Sequence, residues 1–288
     1  MKKIILYFCC CPAFMMLTIS ACKKNDQGSG TKAVFSYVAD GFNVNFTNFS
    51  RNASVYSWNF GDNSSDDTSN KKNPQHVFKS KGDYLVTLTA KQGSVVSTFT
   101  DTVSIIGPNI KIDGDFTDWQ YVDYSFTNTD LVNGGTLLGI KTFASPTDIN
   151  FYLEGTPDMH FAIMDMYIDA DNNPKTGFVT GQYPAGAGAE YLFEGSLVGG
   201  WGSLYVHSGD PASFSFSPIF DIADVLHYSA IKSVSGKNVI EFSISKAKLG
   251  SLKGAVNFCI VESTSGYAQL GSIPSNNSPS STFLQVKL

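Results

Sequence analysis

Apolar and polar residues alternate along most of the chain from Lys32 onward, in short runs such as residues 84–89 and 238–244. Clusters of Gly, Asn, Asp, Pro and Ser separate these runs, and helical spacing of apolar residues is almost absent. Alternation with a period of two is typical of strands with one buried face, and many such short strands are typical of β-sandwiches. Because 288 residues exceed one typical domain, the pattern predicts an all-β chain with two β-sandwich domains in tandem.

The beginning of the chain has a different pattern, which is that of a secretory signal. Two lysines precede an apolar run over residues 4–19, and the small residues Ser20 and Ala21 lead to Cys22. The ending, residues 17–22, resembles the lipobox of bacterial lipoproteins, which implies cleavage before Cys22 and acylation of its thiol. An ordinary signal peptide followed by a coincidental cysteine is the alternative.

The chain therefore divides into four predicted parts. The stretch after Cys22 is polar and contains Gly and Ser, so we expect a flexible tether. Pro108 cannot continue a strand ladder and marks the boundary between the two sandwiches. No segment after the signal approaches the roughly 18 consecutive apolar residues of a membrane span. The predicted parts are a signal peptide (1–21), a lipid-anchored tether (22–31), a first sandwich (32–107) and a second sandwich (108–288).

The cysteines agree with this division. Three of the five cysteines leave with the signal and Cys22 would carry lipid, so only Cys259 remains and it cannot form an internal disulfide. Cys259 lies in the apolar run 256–261, which predicts an inert thiol in a buried strand.

Composition and charge exclude several classes of protein. With 13% aromatic and 42% hydrophobic residues, the chain is not a disordered protein. A net charge of −5 gives no basic surface for nucleic acid, so no nucleic-acid partner is expected.

The first predicted sandwich contains a distinctive series of short motifs. They are Trp58-Asn59-Phe60-Gly61-Asp62, Asn73-Pro74-Gln75-His76, Phe78 and Gly82-Asp83-Tyr84. Together these stretches resemble a PKD domain, which implies an immunoglobulin-like fold and the role of a spacer or interaction module. Two positions depart from the family pattern, Asn59 where Asp is usual and Phe78 where Tyr is frequent.

The residues of this first part predict structure and no catalysis. Trp58 and Phe60 lie on one strand face and are expected in the core, and His76 is expected to make a structural hydrogen bond. For Asp62 and its neighbours Asp66 and Asp67, a solvated loop is favoured over a cation site.

The second predicted sandwich opens with Ile-Asp-Gly at 112–114 and Asp118-Trp119, and a strand, an Asp/Asn turn and a Gly-Ala-Glu-Tyr stretch at 188–191 follow in that order. This order of motifs is similar to that of family-nine-like carbohydrate-binding modules and related DOMON-type sandwiches. The resemblance implies a non-catalytic domain that binds polysaccharide or oligosaccharide.

An acidic turn follows the strand over residues 162–170. Apolar side chains alternate toward one face of that strand, so Asp165, Tyr167 and Asp169 point the other way. Asp169, Asp171 and Asn173 then offer oxygen ligands at the strand end, which suits a structural Ca²⁺. A hairpin turn rich in Asp and Asn, without a cation, is the alternative.

Aromatic residues supply the candidates for sugar binding. Trp201 lies among glycines, which cannot cover its indole, and Tyr205 and His207 follow on one strand face. Further candidate ligand-binding residues are Tyr183 and Glu190. Tyr121 and Tyr124 are weaker candidates, and Trp119 is expected in the core.

Signatures of catalysis and redox cofactors are absent from the sequence. There is no Gly-x-Ser-x-Gly, His-Glu-x-x-His, phosphate-binding glycine loop or haem attachment motif. Met164 and Met166 share a face with Ile168, so core packing is favoured over haem ligation for them.

These features predict a non-catalytic outer-membrane lipoprotein on the cell exterior, with the PKD-like domain as spacer and the second sandwich as glycan binder. It resembles accessory lipoproteins of bacterial polysaccharide-utilisation systems, which implies an outer-membrane glycan importer as partner. The alternatives are an adhesion or scaffold protein that binds another protein, and an unrecognised polysaccharide-acting enzyme.

Overall fold

The structure is a computed structural model that describes residues 30–250 and 252–288. The predicted signal peptide, Cys22 and most of the predicted tether lie outside these described residues. Within the described ranges, no helix is both long and apolar enough to cross a membrane.

The described residues up to 107 form two antiparallel sheets. One sheet has the order β1-β2-β5, and the other has the order β4-β3-β6-β7. The strands are β1 (Phe35–Asp40), β2 (Asn43–Asn48), β3 (Val55–Asn59), β4 (Thr68–Ser69), β5 (Gln75–Val77), β6 (Gly82–Gln92) and β7 (Val95–Ile105).

Aromatic side chains fill the space between these two sheets. Trp58 and Phe60 are both fully buried, as the sequence predicts, and Phe35 and Phe46 from the facing sheet pack against Trp58 with ring centroids 5.1 and 5.3 Å apart. The indole N–H of Trp58 donates to the Lys71 carbonyl at 3.0 Å, so its polar atom is satisfied inside the core. Burying each such side chain contributes about 1.5–3 kcal/mol.

His76 is structural, as predicted. Its ring is buried, lies flat on Phe60 with centroids 4.0 Å apart, and places Nε2 2.8 Å from Oδ2 of Asp62. Burial alone would raise the pKa of Asp62, but hydrogen bonds from Ser64 and His76 outweigh it and lower that pKa.

The described residues after 107 form a larger sandwich with few and short helices. Its strands are β8 (Phe126–Thr127), β9 (Leu137–Ala144), β10 (Asp148–Gly155), β11 (Ile163–Asp169), β12 (Tyr191–Ser196), β13 (Trp201–His207), β14 (Phe216–Asp221), β15 (Leu226–Tyr228), β16 (Lys232–Val234), β17 (Lys237–Ser245), β18 (Ala255–Ser263), β19 (Gln269–Ile273) and β20 (Leu284–Lys287). The helices are α1 (Leu131–Gly134), α2 (Ile222–Val225) and two 3-10 turns, Phe116–Tyr121 and Lys246–Lys248.

Two sheets make up this second sandwich. The first has the order β15-β17-β10-β9-β8, with β16 also paired to β17, and the second has the order β14-β13-β12-β11-β18-β19, with β20 also paired to β18. Between them, the stacked rings of Phe151 and Phe242 (4.8 Å) meet Phe258 of the facing sheet edge-on, 5.1 Å from Phe151. The predicted fold class, all-β with two β-sandwiches in tandem, is confirmed.

A buried carboxylate fixes the opening motif of the second sandwich to its first sheet. Glu241 of β17 is fully buried and accepts hydrogen bonds from the backbone N–H groups of Asp113 and Gly114 and from the indole N–H of Trp119 at 2.9 Å. Gly114 has a φ of +81°, and a Cβ there would lie 2.7 Å from the Lys232 ammonium. Trp119 is therefore a buried anchor, in line with its predicted place in the core.

The predicted boundary at residue 107 separates the described sheets, since none of them pairs strands from both sides of it. Several side-chain contacts cross the boundary, among them an ion pair between Lys111 and Asp40 at 3.7 Å. The Asn109 amide donates to the Asp40 carboxylate at 2.7 Å, and Phe42 meets Tyr121 edge-on at 5.9 Å.

The second sheet turns its other side away from the main core, and loops cover part of that side. Buried residues from the loops over 170–190 and 274–283 pack there against Cys259. The prediction of a buried Cys259 is confirmed, and burial raises the pKa of its thiol. Beyond these loops, this side of the sheet reaches solvent at Trp201, which is half exposed.

Candidate functional site

The open side of the second sheet follows from the alternation along β11. Met164, Met166 and Ile168 are buried in the main core, so Asp165 and Tyr167 project from the opposite side, as the sequence predicts. Antiparallel pairing then sets their neighbours across the sheet.

Asp165 pairs with Glu194 of β12, and Glu194 pairs with Ser203 of β13. In the next row, Leu192 of β12 lies between Tyr167 and Tyr205. Residues directly opposite in a sheet have Cβ atoms about 4.5–5.5 Å apart, so the two carboxylates are immediate neighbours.

Two aromatic rings stand open to solvent on this side. Trp201 of β13 is 50% exposed, and Tyr267 in the loop between β18 and β19 is 58% exposed. The Tyr267 hydroxyl donates to Glu194 at 3.3 Å. We call the set Asp165, Glu194, Trp201, Tyr205 and Tyr267 the ligand face.

Tyr267 has a φ of +64°, in the left-handed region that bulky residues rarely adopt. Such backbone strain concentrates at binding sites and costs about 1–3 kcal/mol. Here it accompanies a tyrosine ring that is exposed and bonded to a carboxylate of the ligand face.

The glycines next to Trp201 explain how its ring is placed. A Cβ on Gly199 would lie 2.9 Å from the indole Cδ1 and Nε1 atoms, so only glycine lets the ring lie against this backbone. Gly200 has a φ of +66°, which forms the turn that leads into β13. One side of the indole is thus supported while half of its surface stays accessible.

Asp165 is the most perturbed acid of the ligand face. Its Oδ1 atom is buried and has no hydrogen-bond partner among the described residues. Burial, together with the nearby Glu194 carboxylate, raises the pKa of Asp165 to about 7.

Three of the five predicted ligand-binding residues, Tyr183, His207 and Glu190, are not part of the ligand face. Tyr183 is only 1% exposed, and its hydroxyl donates to the Pro274 carbonyl at 2.9 Å, so it is a core residue and its prediction as a ligand-binding side chain is corrected. His207 is half-buried against Phe216, with ring centroids 5.1 Å apart, and its Nε2 lies 2.9 Å from the Ser213 carbonyl. His207 therefore holds the loop after β13.

Glu190 joins the acidic turn and does not extend the ligand face. One carboxylate oxygen each from Asp169, Asp171 and Glu190 lie within 4.8 Å of one another. Asn173 donates its backbone N–H to Asp169 at 3.1 Å, while its side-chain oxygen accepts from the Lys175 N–H. The structure thus adds Glu190 to the predicted set Asp169, Asp171 and Asn173.

The charges of this acidic turn are incompletely compensated. Glu190 accepts from the Ala170 N–H through Oε2 at 2.9 Å, but its Oε1 is buried without a partner among the described residues. Burial raises the pKa of both Asp169 and Glu190. A hard cation that prefers carboxylate oxygens fits this donor set.

Sequence reasoning missed Tyr267 and the pairing of Asp165 with Glu194. The only signal for Tyr267 is an aromatic residue next to glycine in a turn, at Gly266. The pairing depends on which strand lies beside β11, and the 21 residues between β11 and β12 carry no pattern that fixes it.

Comparison with known proteins supports the PKD prediction. The family model described as a PKD domain matches residues 31–106. The PKD1 domain of Vibrio anguillarum Epp is 26% identical, with 27% of this chain and 96% of that chain covered and a TM-score of 0.26. The PKD1 domain of the Vibrio cholerae metalloprotease PrtV is 27% identical, with 26% and 96% covered and a TM-score of 0.25. The predicted PKD domain is confirmed.

Similar solved structures that extend over the second sandwich include carbohydrate-binding modules. One is a family 9 module from Caldicellulosiruptor kristjanssonii in complex with cellotriose, 12% identical, covering 62% of this chain and 89% of that chain, with a TM-score of 0.34. Another is a module of the β-sandwich superfamily, 14% identical, covering 80% and 95%, with a TM-score of 0.25. No curated protein matches the chain.

We expect Asp165→Asn to stabilise the protein at neutral and alkaline pH. Because folding raises the pKa of Asp165 from 3.8 to about 7, the wild type loses stability as pH rises through this range, by on the order of 4 kcal/mol. Asparagine keeps the shape without the charge. Unfolding in urea at pH 4 and pH 8 measures the difference.

The matched control for this measurement is Asp158→Asn, which removes an exposed carboxylate of the same sandwich. Asp165→Asn should gain stability over the wild type at pH 8 and little at pH 4. Equal stability of the variant and the wild type at both pH values would contradict the assignment of a buried, raised-pKa carboxyl to Asp165.

Calcium is expected to raise the melting temperature of the protein, because a cation held only by the folded state stabilises it by mass action. Asp171→Asn should remove this rise, since it takes away one of the three clustered carboxylates. Asp158→Asn should keep it. Thermal melting with millimolar calcium and with a chelator checks this. If the two melting curves of the wild type are identical, the acidic turn is a hairpin turn that binds no cation.

Proposed function

We propose that this chain is a non-catalytic, lipid-anchored surface protein that binds a glycan through the ligand face of its second sandwich. The single observation behind this proposal is the presence of two solvent-exposed aromatic rings, Trp201 and Tyr267, on one side of one sheet, with the Tyr267 hydroxyl bonded to the Glu194 carboxylate. Trp201 lies in β13 opposite Ser196, two residues along β12 from Glu194. Aromatic side chains combine an apolar face with a polar edge, which suits a sugar ring with its CH and OH groups.

The chemistry of the face supports a neutral polyol as ligand. The ionised Glu194 carboxylate is an acceptor only, so it can take hydrogen bonds from sugar hydroxyls. Tyr267 is already oriented by its bond to Glu194, and Trp201 by its contact with Gly199, so little side-chain freedom is lost on binding. Polysaccharide or oligosaccharide is the proposed partner.

The rest of the proposal concerns placement in the cell. Cys22 carries lipid and anchors the protein in the outer membrane, facing the exterior, with residues 22–31 as tether. The PKD domain at residues 31–106 acts as a spacer between the anchor and the ligand face. An outer-membrane glycan importer is the proposed partner on the cell surface.

We expect Trp201→Ala to weaken glycan binding by about tenfold or more. Loss of an aromatic contact surface removes roughly 1.5–3 kcal/mol of area burial, and 1.4 kcal/mol is a factor of ten. A glycan array on the full-length protein identifies the ligand, and calorimetry compares the variant with the wild type. Because half of the indole is exposed, the fold should survive, which circular dichroism checks.

The control for this prediction is Phe49→Ala, which removes an exposed aromatic ring from the PKD domain. That variant should bind as the wild type does. If Trp201→Ala and Phe49→Ala both bind like the wild type, the ligand face is not the glycan site.

Cys22→Ser should release the protein from the membrane into the soluble fraction. Acyl chains contribute about 0.8 kcal/mol for each buried CH₂ group, so lipidation dominates anchoring. Fractionation after a salt wash tests this, and cleavage by protease added to intact cells tests the outward orientation. A serine variant that stays in the membrane fraction would refute the lipobox.

A further inference from the structure

We infer that the ligand face discriminates by charge: it accepts uncharged glycans and excludes glycans that carry uronate or sulfate groups, with Asp165 and Glu194 as the specificity-determining residues. This inference rests on the proposed function, because it concerns the ligand class of the same face. It adds which polysaccharides the face rejects and which side chains cause the rejection.

The first step is the position of the two carboxylates. Asp165 and Glu194 are directly opposite each other on β11 and β12, neighbouring strands inside the sheet. Tyr267 donates its hydroxyl to Glu194 from the loop between β18 and β19, and Tyr205 lies one row away on β13. A ligand that contacts the Tyr267 ring is therefore held next to Glu194, and Asp165 is the neighbour of Glu194 across the sheet.

The second step is the absence of a compensating cation. Among the ion pairs of the described residues, none includes Asp165 or Glu194. Residues 108–288 contain 18 acidic side chains, nine lysines and no arginine. The recognition of carboxylate or sulfate groups relies on Arg and Lys, and the described ligand face has neither.

The groups that face Asp165 are acidic or neutral on every element packed against it. They are Tyr167 on its own strand, Glu194 on β12, Cys259 on β18 and Tyr267 in the loop after β18. The nearby carboxylates contribute to raising the pKa of both Tyr167 and Tyr267. The electrostatic potential at the ligand face is thus negative, and none of these neighbouring groups is a cation that would reduce it.

The third step is the energetic consequence. Like charges brought together in an interface cost several kcal/mol, so an anionic sugar loses affinity where its neutral counterpart binds. Since the pKa of Asp165 is about 7, the face carries more negative charge at pH 8 than at pH 6. Exclusion of anionic glycans therefore strengthens as pH rises through neutrality.

The test uses pairs of oligosaccharides of equal length and backbone in which a charged C6 carboxylate replaces a neutral C6 group: cello-oligosaccharides against cellouronate, manno-oligosaccharides against mannuronate, and methyl-esterified against free galacturonan. Calorimetry with the full-length wild type is run at pH 6 and pH 8. We expect the neutral member of at least one pair to bind and its uronate partner to bind at least tenfold more weakly. The ratio of these two affinities should be larger at pH 8 than at pH 6.

Two variants assign the effect to residues. We expect the ratio of the affinity for the neutral oligosaccharide to the affinity for its uronate partner to fall in Asp165→Asn, in Glu194→Gln and in the double variant. Asp158→Asn should leave this affinity ratio unchanged. Raising the salt concentration to 1 M should also narrow the wild-type ratio, because the screening length falls from about 10 Å at 0.1 M to about 3 Å.

The outcomes separate this inference from the proposed function. If the wild type binds neither member of any pair and no glycan on the array, the proposed function fails. If the wild type binds a uronate as tightly as its neutral partner, the charge inference is overturned while glycan binding stands. If discrimination persists in the folded double variant, Asp165 and Glu194 are not its cause.

Discussion

The strict alternation of side chains in the second sheet is the constraint on which the candidate site depends. β11 buries Met164, Met166 and Ile168 in the core that also contains Phe151 and Phe242 of the first sheet, so the intervening residues have to share the opposite side. If the register of β11 shifted by one residue, Met164 and Met166 would move to the opposite side of the sheet. Asp165 would then point into the core and place a carboxylate there. Packing of the core therefore also fixes the composition of the ligand face.

Buried carboxylates in this sandwich fall into two groups, and the difference separates structure from binding. Glu241 and Glu262 are both fully buried, and backbone N–H groups satisfy them: Asp113 and Gly114 for the first, His160 and Phe161 for the second. Each ties a loop to a strand. Asp165 has no such donor for its buried Oδ1, so the fold provides its burial but leaves its hydrogen-bonding capacity unused.

The sequence predicts what depends on local periodicity. The alternating faces of β11, the burial of Trp58, Phe60 and Trp119, and the exposure of Trp201 among glycines all follow from residue type and spacing, and the structure agrees with each. It does not predict what depends on long-range pairing. Tyr267 reaches Glu194 across 73 positions of sequence, and burial of Tyr183 requires the Pro274 segment to close over it.

The two acidic positions of β11 lie in two different arrangements of oxygen atoms. Asp169, at the end of the strand, accepts hydrogen bonds from the Asn257 amide and the Asn173 N–H and has further carboxylates beside it, an arrangement that gathers oxygens around a point. Asp165, four residues earlier, has one carboxylate neighbour and aromatic rings nearby, an arrangement that spreads acceptors along a surface. Oxygen atoms clustered around one position suit a cation, whereas hydrogen-bond acceptors and aromatic rings spread over a surface suit an extended polyol. The loops that cover the sheet near Asp169 and end before Trp201 therefore separate the candidate cation site from the proposed glycan site.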